Sequence, residues 1–210
     1  MRVVALSDIH SRVPEDVPEC DLLLVAGDLT LEHEPRDEVR FVRHEFIPWL
    51  HRQKAKDHAV IAGNHDFSAQ RGQWGGLDMN YLQDESQAIQ GAVVHGCPWS
   101  NQFGSWAFMG GEDKLAERIA RADPRTEILL THGPPYGRGD LTYYGGESVG
   151  SKAFLLHADT ALPGLRLHVY GHIHEARGEH EDAPHVSANV SYVDLQYRPW
   201  GLPFHVFDLA

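Results

Sequence analysis

Residues 59–68 read AVIAGNHDFS: four apolar positions and a glycine, then Asn64, His65 and Asp66 in succession. An amide, an imidazole and a carboxylate are poor packing groups for the end of a buried strand, so their placement calls for a chemical reason. The same layout recurs along the chain. Short apolar runs at 3–7 (VVALS), 22–26 (LLLVA), 127–131 (EILLT) and 166–170 (RLHVY) each lead into side chains able to ligate a metal. These are Asp8-Ile9-His10, Gly27-Asp28, His132-Gly133 and Gly171-His172-Ile173-His174, in that order. Near-continuous apolar runs of this length predict strands of a sheet covered on both faces. Ligands of open α/β sheets gather at the carboxyl ends of strands, and a neighbouring glycine lets the chain turn sharply there. All these strand ends are therefore expected to converge on one place.

Helices are predicted between the strands at 35–53, 111–123 and 147–158. The first rests on Val39, Val42, Phe46 and Leu50 at helical spacing, with Pro35 near its start. Residues 87–110 and 185–209 each read as two strands, and strands without an intervening helix predict antiparallel pairs at a sheet edge. No repeat, low-complexity tract or linker interrupts the pattern, so residues 1–210 read as one α/β domain.

Composition narrows the function. The chain of 210 residues carries 18 basic against 30 acidic side chains, a formal net charge of −12, with no basic block. A long nucleic-acid duplex gains little from such a surface. An anionic substrate would need local positive charge, which points to metal ions. No run approaches the roughly 20 apolar residues of a membrane span, and the opening MRVVALSDIH is too short and too polar for a signal peptide. A cytoplasmic protein is expected. Cys20 and Cys97 form neither a disulfide framework nor a CxxC pair and read as small buried hydrophobes. Oligomeric state, monomer or homodimer, is left open.

The candidate ligands are Asp8, His10, Asp28, Asn64, His132, His172 and His174. They exceed the roughly four to six positions of one ion and fit two ions sharing a carboxylate, with Asp28 as the natural bridge. Oxygen and imidazole donors without thiolate suit Mn, Fe or Zn, with Co or Ni also compatible. Such a pair of ions clamps the attacking and leaving oxygens of an in-line displacement, and a water or hydroxide held between them is the expected nucleophile. His65 suits protonation of the leaving oxygen, and Asp66 is placed to orient its ring. The sequence offers no GxSxG elbow.

The motifs Asp8-Ile9-His10, Gly27-Asp28, Gly63-Asn64-His65-Asp66, His132-Gly133 and Gly171-His172-Ile173-His174, in this order, resemble the calcineurin-like metallophosphoesterases. LLTHGPPYGRGD, LHVYGHIHEARG and NVSYVDLQY further resemble the small MPPED-type subgroup, which is similar to class III cyclic-nucleotide phosphodiesterases. Some animal members of that subgroup carry glycine where this chain has His172. The resemblance implies a four-layer α-β-β-α sandwich with two mixed β-sheets. It implies one metal on Asp8, His10, Asp28 and His174, and the other on Asp28, Asn64, His132 and His172. His65 is then not a ligand but a proton donor beside the substrate phosphate.

The expected activity is hydrolysis of small phosphodiesters such as cyclic nucleotides. The same site would serve a phosphomonoesterase or a protein phosphatase, which the motifs do not separate. A metal-binding scaffold without turnover would be favoured by a missing ligand, and none is missing. Residues 133–146 (GPPYGRGDLTYYGG) offer Arg138 to pair a phosphate and Tyr136, Tyr143 or Tyr144 to stack on a base. Trp99 and Trp106 read as core or edge packing, and His33 as a rim residue.

Overall fold

The computed structural model describes residues 1–31, 34–143, 145–180 and 184–209; the proposed rim residue His33 and the stacking candidate Tyr144 lie outside the described residues. In chain order the first half holds β1 (Arg2–Leu6), β2 (Cys20–Ala26), α1 (Pro35–Phe41), α2 (Ile47–Arg52), β3 (Ala55–Ile61) and the short α3 (Phe67–Gln70). Then come β4 (Glu85–Ile89), β5 (Ala92–Cys97), β6 (Ser100–Asn101), β7 (Met109–Gly110), α4 (Glu112–Ile119) and β8 (Ile128–Thr131). The chain closes with α5 (Lys152–Thr160), β9 (Leu167–Tyr170), β10 (Gly178–His180), β11 (Val186–Asn189) and β12 (His205–Asp208).

Two mixed sheets form, ordered β12-β1-β2-β3 and β10-β11-β9-β8-β5-β4, with β6 and β7 paired separately. Each expected strand appears within a few residues of its apolar run. The strand period of two explains the layers. Val3, Ala5, Leu22, Leu24, Ala59 and Ile61 of the first sheet share a buried cluster with Val94, Ile128, Leu130, Val169 and Ala188 of the second. The alternate residues Val4, Leu23, Val60 and Leu129 belong instead with Phe46 and Trp49 of the first helical segment and with Leu115 and Phe154 of α4 and α5. Helices thus cover the outer face of each sheet, giving the four layers.

Departures from the sequence pattern have local causes. The helix expected over 35–53 is present but widens to a π turn at Val42–Phe46, where the Ile47 N–H bonds the Val42 carbonyl five residues back. Pro48, next in the chain, has no N–H to continue the α ladder, and a π turn absorbs that break. The helix over 147–158 begins only at Lys152, because Ser151 caps it by accepting the Phe154 N–H. Of the two expected strand pairs, β4 and β5 form an antiparallel hairpin at a sheet edge, turned at Gln90-Gly91 where both residues are left-handed. The other pair does not form. β11 joins β9 in parallel in the second sheet, while β12 runs antiparallel to β1 in the first. The chain between them therefore crosses from one sheet to the other past the carboxyl ends of β1 and β9, linked there by a Ser7–Ser191 bridge. Among the described residues no helix is long and apolar enough to cross a membrane.

Candidate active site

The five apolar strands β1, β2, β3, β8 and β9 run parallel to their sheet neighbours in this set, and their carboxyl ends carry the expected ligands. The loops that leave them are tied to one another. Asp8 N donates to the Gly27 carbonyl (2.9 Å), His10 N to the Asp28 carbonyl (3.1 Å) and Gly171 N to the His132 carbonyl (3.0 Å). Turning so sharply after a strand requires unusual backbone. Asp8, His10, Asp28 and His172 have φ of 57°, 46°, 51° and 73°, the left-handed region that non-glycine residues seldom occupy. Strain of this kind persists where surrounding structure over-determines it, typically at functional sites. Glycine is needed where the loops meet: a Cβ on Gly171 would collide with the Asp8 carboxylate and the Ser7 hydroxyl, and one on Gly63 with Asp28.

The side chains gather into two adjoining groups, Asp8 with His10 and His174, and Asp28 with His132 and His172, joined by a third that sets His65 beside His10 and Asp28. Ligand atoms within each lie within 4.8 Å of one another. Asn64 joins the second group through its Oδ1, 2.9 Å from His132 Nε2. Asp28 stands between the groups, its Oδ2 3.9 Å from His10 Nε2 and its Oδ1 3.4 Å from His132 Nε2. All seven candidate side chains therefore lie together, with Asp28 between the two groups.

The donor set fits metal. His132 Nδ1 lies 3.0 Å from the Ala26 carbonyl and so carries its hydrogen there. That leaves the Nε2 lone pair facing two more acceptors, Asn64 Oδ1 and Asp28 Oδ1. His174 repeats the arrangement: its Nδ1 is 3.3 Å from the Asp194 carbonyl, while its Nε2 faces His10 Nε2 at 3.2 Å and Asp8 Oδ1 at 3.5 Å. Lone pairs facing lone pairs in a buried place are unfavourable unless a cation or a proton lies between them. In the metal-free protein protons serve. Burial opposes charge on His132, but the Asp28 carboxylate overrides it and lifts the ring to about 9. His174 is likewise raised, against burial, by Asp8. Burial lowers His10 to about 4 and His172 to about 3, so both stay neutral and ready to ligate at neutral pH. Burial alone would raise Asp8, yet the His174 ring bonded to it brings its carboxyl below the usual range.

His65 lines a cavity of about 310 Å³ beside these groups. Its backbone N–H donates to Asp28 Oδ1 (2.8 Å), and its ring meets His10 edge-on with centroids 4.8 Å apart. The buried Nδ1 has no hydrogen-bond partner among the described residues. Asp66 does not orient this ring. Its carboxylate accepts Leu29 N (3.2 Å), Thr30 N (3.0 Å), Thr30 Oγ1 (2.9 Å) and Gly63 N (2.8 Å), so it binds the loop after β2 to the loop after β3.

Two proposed substrate contacts are also corrected. Arg138 is only 6% exposed and makes a two-point ion pair with Asp159 of α5, both bonds 2.8 Å. It does not line the cavity beside His65. Tyr136 also stands away from them, under the ammonium of Lys152 at 5.1 Å. Tyr143 is exposed at the outer rim, its N–H donated to Glu175. Trp99 is core as expected, but Trp106 is not: its ring tilts over His65 at 4.5 Å between centroids. Phe103 and Tyr197 were missed altogether. Phe103 lies 5.3 Å from His172, and Tyr197 sets its ring edge against His10 at 4.9 Å. Ser191, also unforeseen, donates its hydroxyl to Asp8 Oδ2 (2.8 Å). Clustered aromatics in 97–106 and in NVSYVDLQY were the available signal, but nothing local in either stretch says that it faces the ligands.

The sandwich, the strand-end ligands and their two groups define a metal-dependent hydrolase class. The chain belongs to the calcineurin-like phosphoesterase family, whose sequence model matches residues 1–176. It is a metal-dependent phosphoester hydrolase of a family that works with a dinuclear metal centre. It is 30% identical to human metallophosphoesterase domain-containing protein 1 over 99% of this chain and 71% of that protein. It is 27% identical to a UPF0046 protein of Caenorhabditis elegans over 100% of this chain and 81% of that one. Among solved structures its fold matches phosphopantetheinyl hydrolase from Mycobacterium tuberculosis, with TM-score 0.59 at 14% identity over 98% of this chain and 95% of that one. A putative 5'-nucleotidase from Staphylococcus aureus matches with TM-score 0.52 at 13% identity, over 90% of this chain and 48% of that one.

Proposed function

We propose that this enzyme is a phosphodiesterase for small phosphodiesters, cyclic nucleotides among them, working in the cytoplasm with Mn, Fe or Zn. The observation that carries the reading is the wall of the cavity beside His65. Among its described lining residues there is no lysine or arginine; Phe103, Trp106, Leu195 and Tyr197 face it instead, and Glu175 stands at its edge. A monoester dianion would find no lysine or arginine there to share its second charge. A diester carries one charge, and its esterified groups suit an aromatic and aliphatic wall. The two buried free thiols suit a reducing compartment.

Asp8, His10, Asp28 and His174 would hold one ion, and Asp28, Asn64, His132 and His172 the other. When bound, the ions would supply Lewis acidity at the phosphoryl oxygens and activate a water. Asn64 contributes an oxygen donor without adding negative charge beside the phosphate. His65 would give its proton to the leaving oxygen, an assignment supported by its place on the cavity wall. Trp106 and His10 hold that ring from two sides.

The test is a comparison of 3',5'-cyclic AMP with adenosine 5'-monophosphate on manganese-loaded enzyme, product being followed by chromatography. A kcat/KM at least tenfold higher for the cyclic diester is expected. Preference for the monophosphate would replace this reading with a phosphomonoesterase.

A further inference from the structure

A second, larger cavity of about 630 Å³ adjoins the first and shares Phe103 and His172 with it. One wall comes from Asn101 and Gln102 at the end of β6, another from Gly110, Gly111 and Glu112 where β7 enters α4. The third comes from Thr142 and Val149 of the loop after β8, so that loop does reach the site, though by residues other than its arginine and first tyrosine. The walls are braced: Asn101 Nδ2 donates to the Val149 carbonyl at 2.9 Å, and Gln102 N to the Gly110 carbonyl at 3.1 Å.

The charge of this cavity is distinctive. Among its described lining residues none is lysine or arginine, and its one carboxylate is already engaged. Glu112 accepts Ser151 Oγ (3.1 Å), Lys152 N (3.2 Å) and Ala153 N (2.9 Å), capping α5. A second phosphate entering here would lose its hydration, meet no side-chain cation and approach that carboxylate. An uncharged group loses nothing of the kind and gains apolar contact with Phe103, Val149 and Ile173.

We infer that this cavity is the subsite for the larger esterified group of the substrate, an uncharged substituent of about nucleoside size, and that it rejects a second phosphate. The inference rests on the phosphodiesterase reading above and narrows it: single-phosphate diesters are substrates, whereas oligonucleotides and nucleosides carrying a further phosphate are not. Its continuity with the metal-ligand groups through His172 would place the two esterified groups of an acyclic diester in neighbouring spaces, and the single nucleoside of a cyclic nucleotide in this one.

Gly111 gives a direct test. A Cβ built on it meets nothing within 4 Å, and its φ of −73° is open to any side chain. Gly111→Phe should therefore fill the cavity without strain. Three aryl esters that all release p-nitrophenol would be compared on manganese-loaded enzyme: methyl p-nitrophenyl phosphate, thymidine 5'-(p-nitrophenyl phosphate), and the latter bearing a 3'-phosphate. The thymidine ester should exceed the methyl ester at least tenfold in kcat/KM, and the added 3'-phosphate should cancel that gain. Gly111→Phe should shrink the thymidine-to-methyl ratio at least fivefold, and Val149→Trp should do the same from another wall, with melting temperatures confirming that both variants fold. Equal kcat/KM for all three esters, or the same fractional loss on every ester in both variants, would overturn the subsite. Turnover of the methyl ester with no thymidine preference would overturn it while leaving the diesterase reading standing. Turnover of none of the three would overturn both.

Discussion

His65 and its neighbour Asp66 show how differently adjacent side chains can be used. His65→Ala should lower turnover by about 100-fold or more, the usual contribution of a general acid, while metal content measured by mass spectrometry stays at the wild-type level. Loss of metal in that variant would put His65 among the ligands instead. Asp66→Ala should act on the fold, since four donors lose one acceptor in a buried place. A loss of at least about 2 kcal/mol is expected in denaturant unfolding. Unchanged stability with lost activity would restore a direct role for Asp66 in catalysis. At this scale the clustering of the candidate ligands was legible because each sits beside a strand end and a turn, all within a few residues of sequence. Asp66 and Arg138 were not. The groups that claim them, Thr30 and Asp159, are 36 and 21 residues away, and only the folded chain brings them near.

Among the elements, the strands were legible and the crossing segment after β11 was not. A strand apolar on both faces declares itself by composition, whereas residues 190–204 take their shape from particular hydrogen bonds. The Asp194 carboxylate accepts Gln196 N (2.8 Å) and Arg198 N (2.9 Å) and pairs with the Arg198 guanidinium (2.7 Å), closing a tight turn. Tyr197 sits in that turn with φ of 57° and meets both His10 and His174. A left-handed tyrosine packed against two candidate ligands thus comes from beyond the stretch that matches the family. Tyr197→Ala should raise KM for a diester about tenfold with metal content intact. A variant with unchanged KM would reduce the turn to mere packing. The π turn before Pro48 was within reach of the sequence, because a proline inside a helical pattern announces a break even when it does not say what form the break will take.

Over the whole molecule, acid should be the weak point. His95 is fully buried, with Nδ1 bonded to Ser86 (2.8 Å), and burial lowers it to about 4. His168, buried beside Thr131, is lowered well below its ordinary value for the same reason. The unfolded chain, with histidines near 6.5, takes up these protons before the folded one does. The share of stability that these two rings supply is therefore complete above about pH 6.5 and falls as the pH drops from there toward 4, by up to about 1.4 kcal/mol per pH unit for each, whereas Asp66 and His132, both raised, act in the opposite sense as the pH climbs toward 8 and 9. Thermal melts should show a steady fall from pH 6.5 down to pH 4.5. A flat profile through that interval would mean that these rings reach solvent or find partners on protonation.

The architecture as a whole was expected from the resemblance carried by the strand-end motifs, and the alternation of buried residues explains it. Its consequence is that the candidate ligands come from both sheets, so neither sheet carries the site alone. The most direct measurement is hydrolysis of bis(p-nitrophenyl) phosphate and of p-nitrophenyl phosphate by chelator-stripped protein, before and after addition of manganese. The account predicts negligible turnover without metal, and turnover restored on its addition that favours the diester. Metal-independent turnover, or restored activity confined to the monoester, would contradict it.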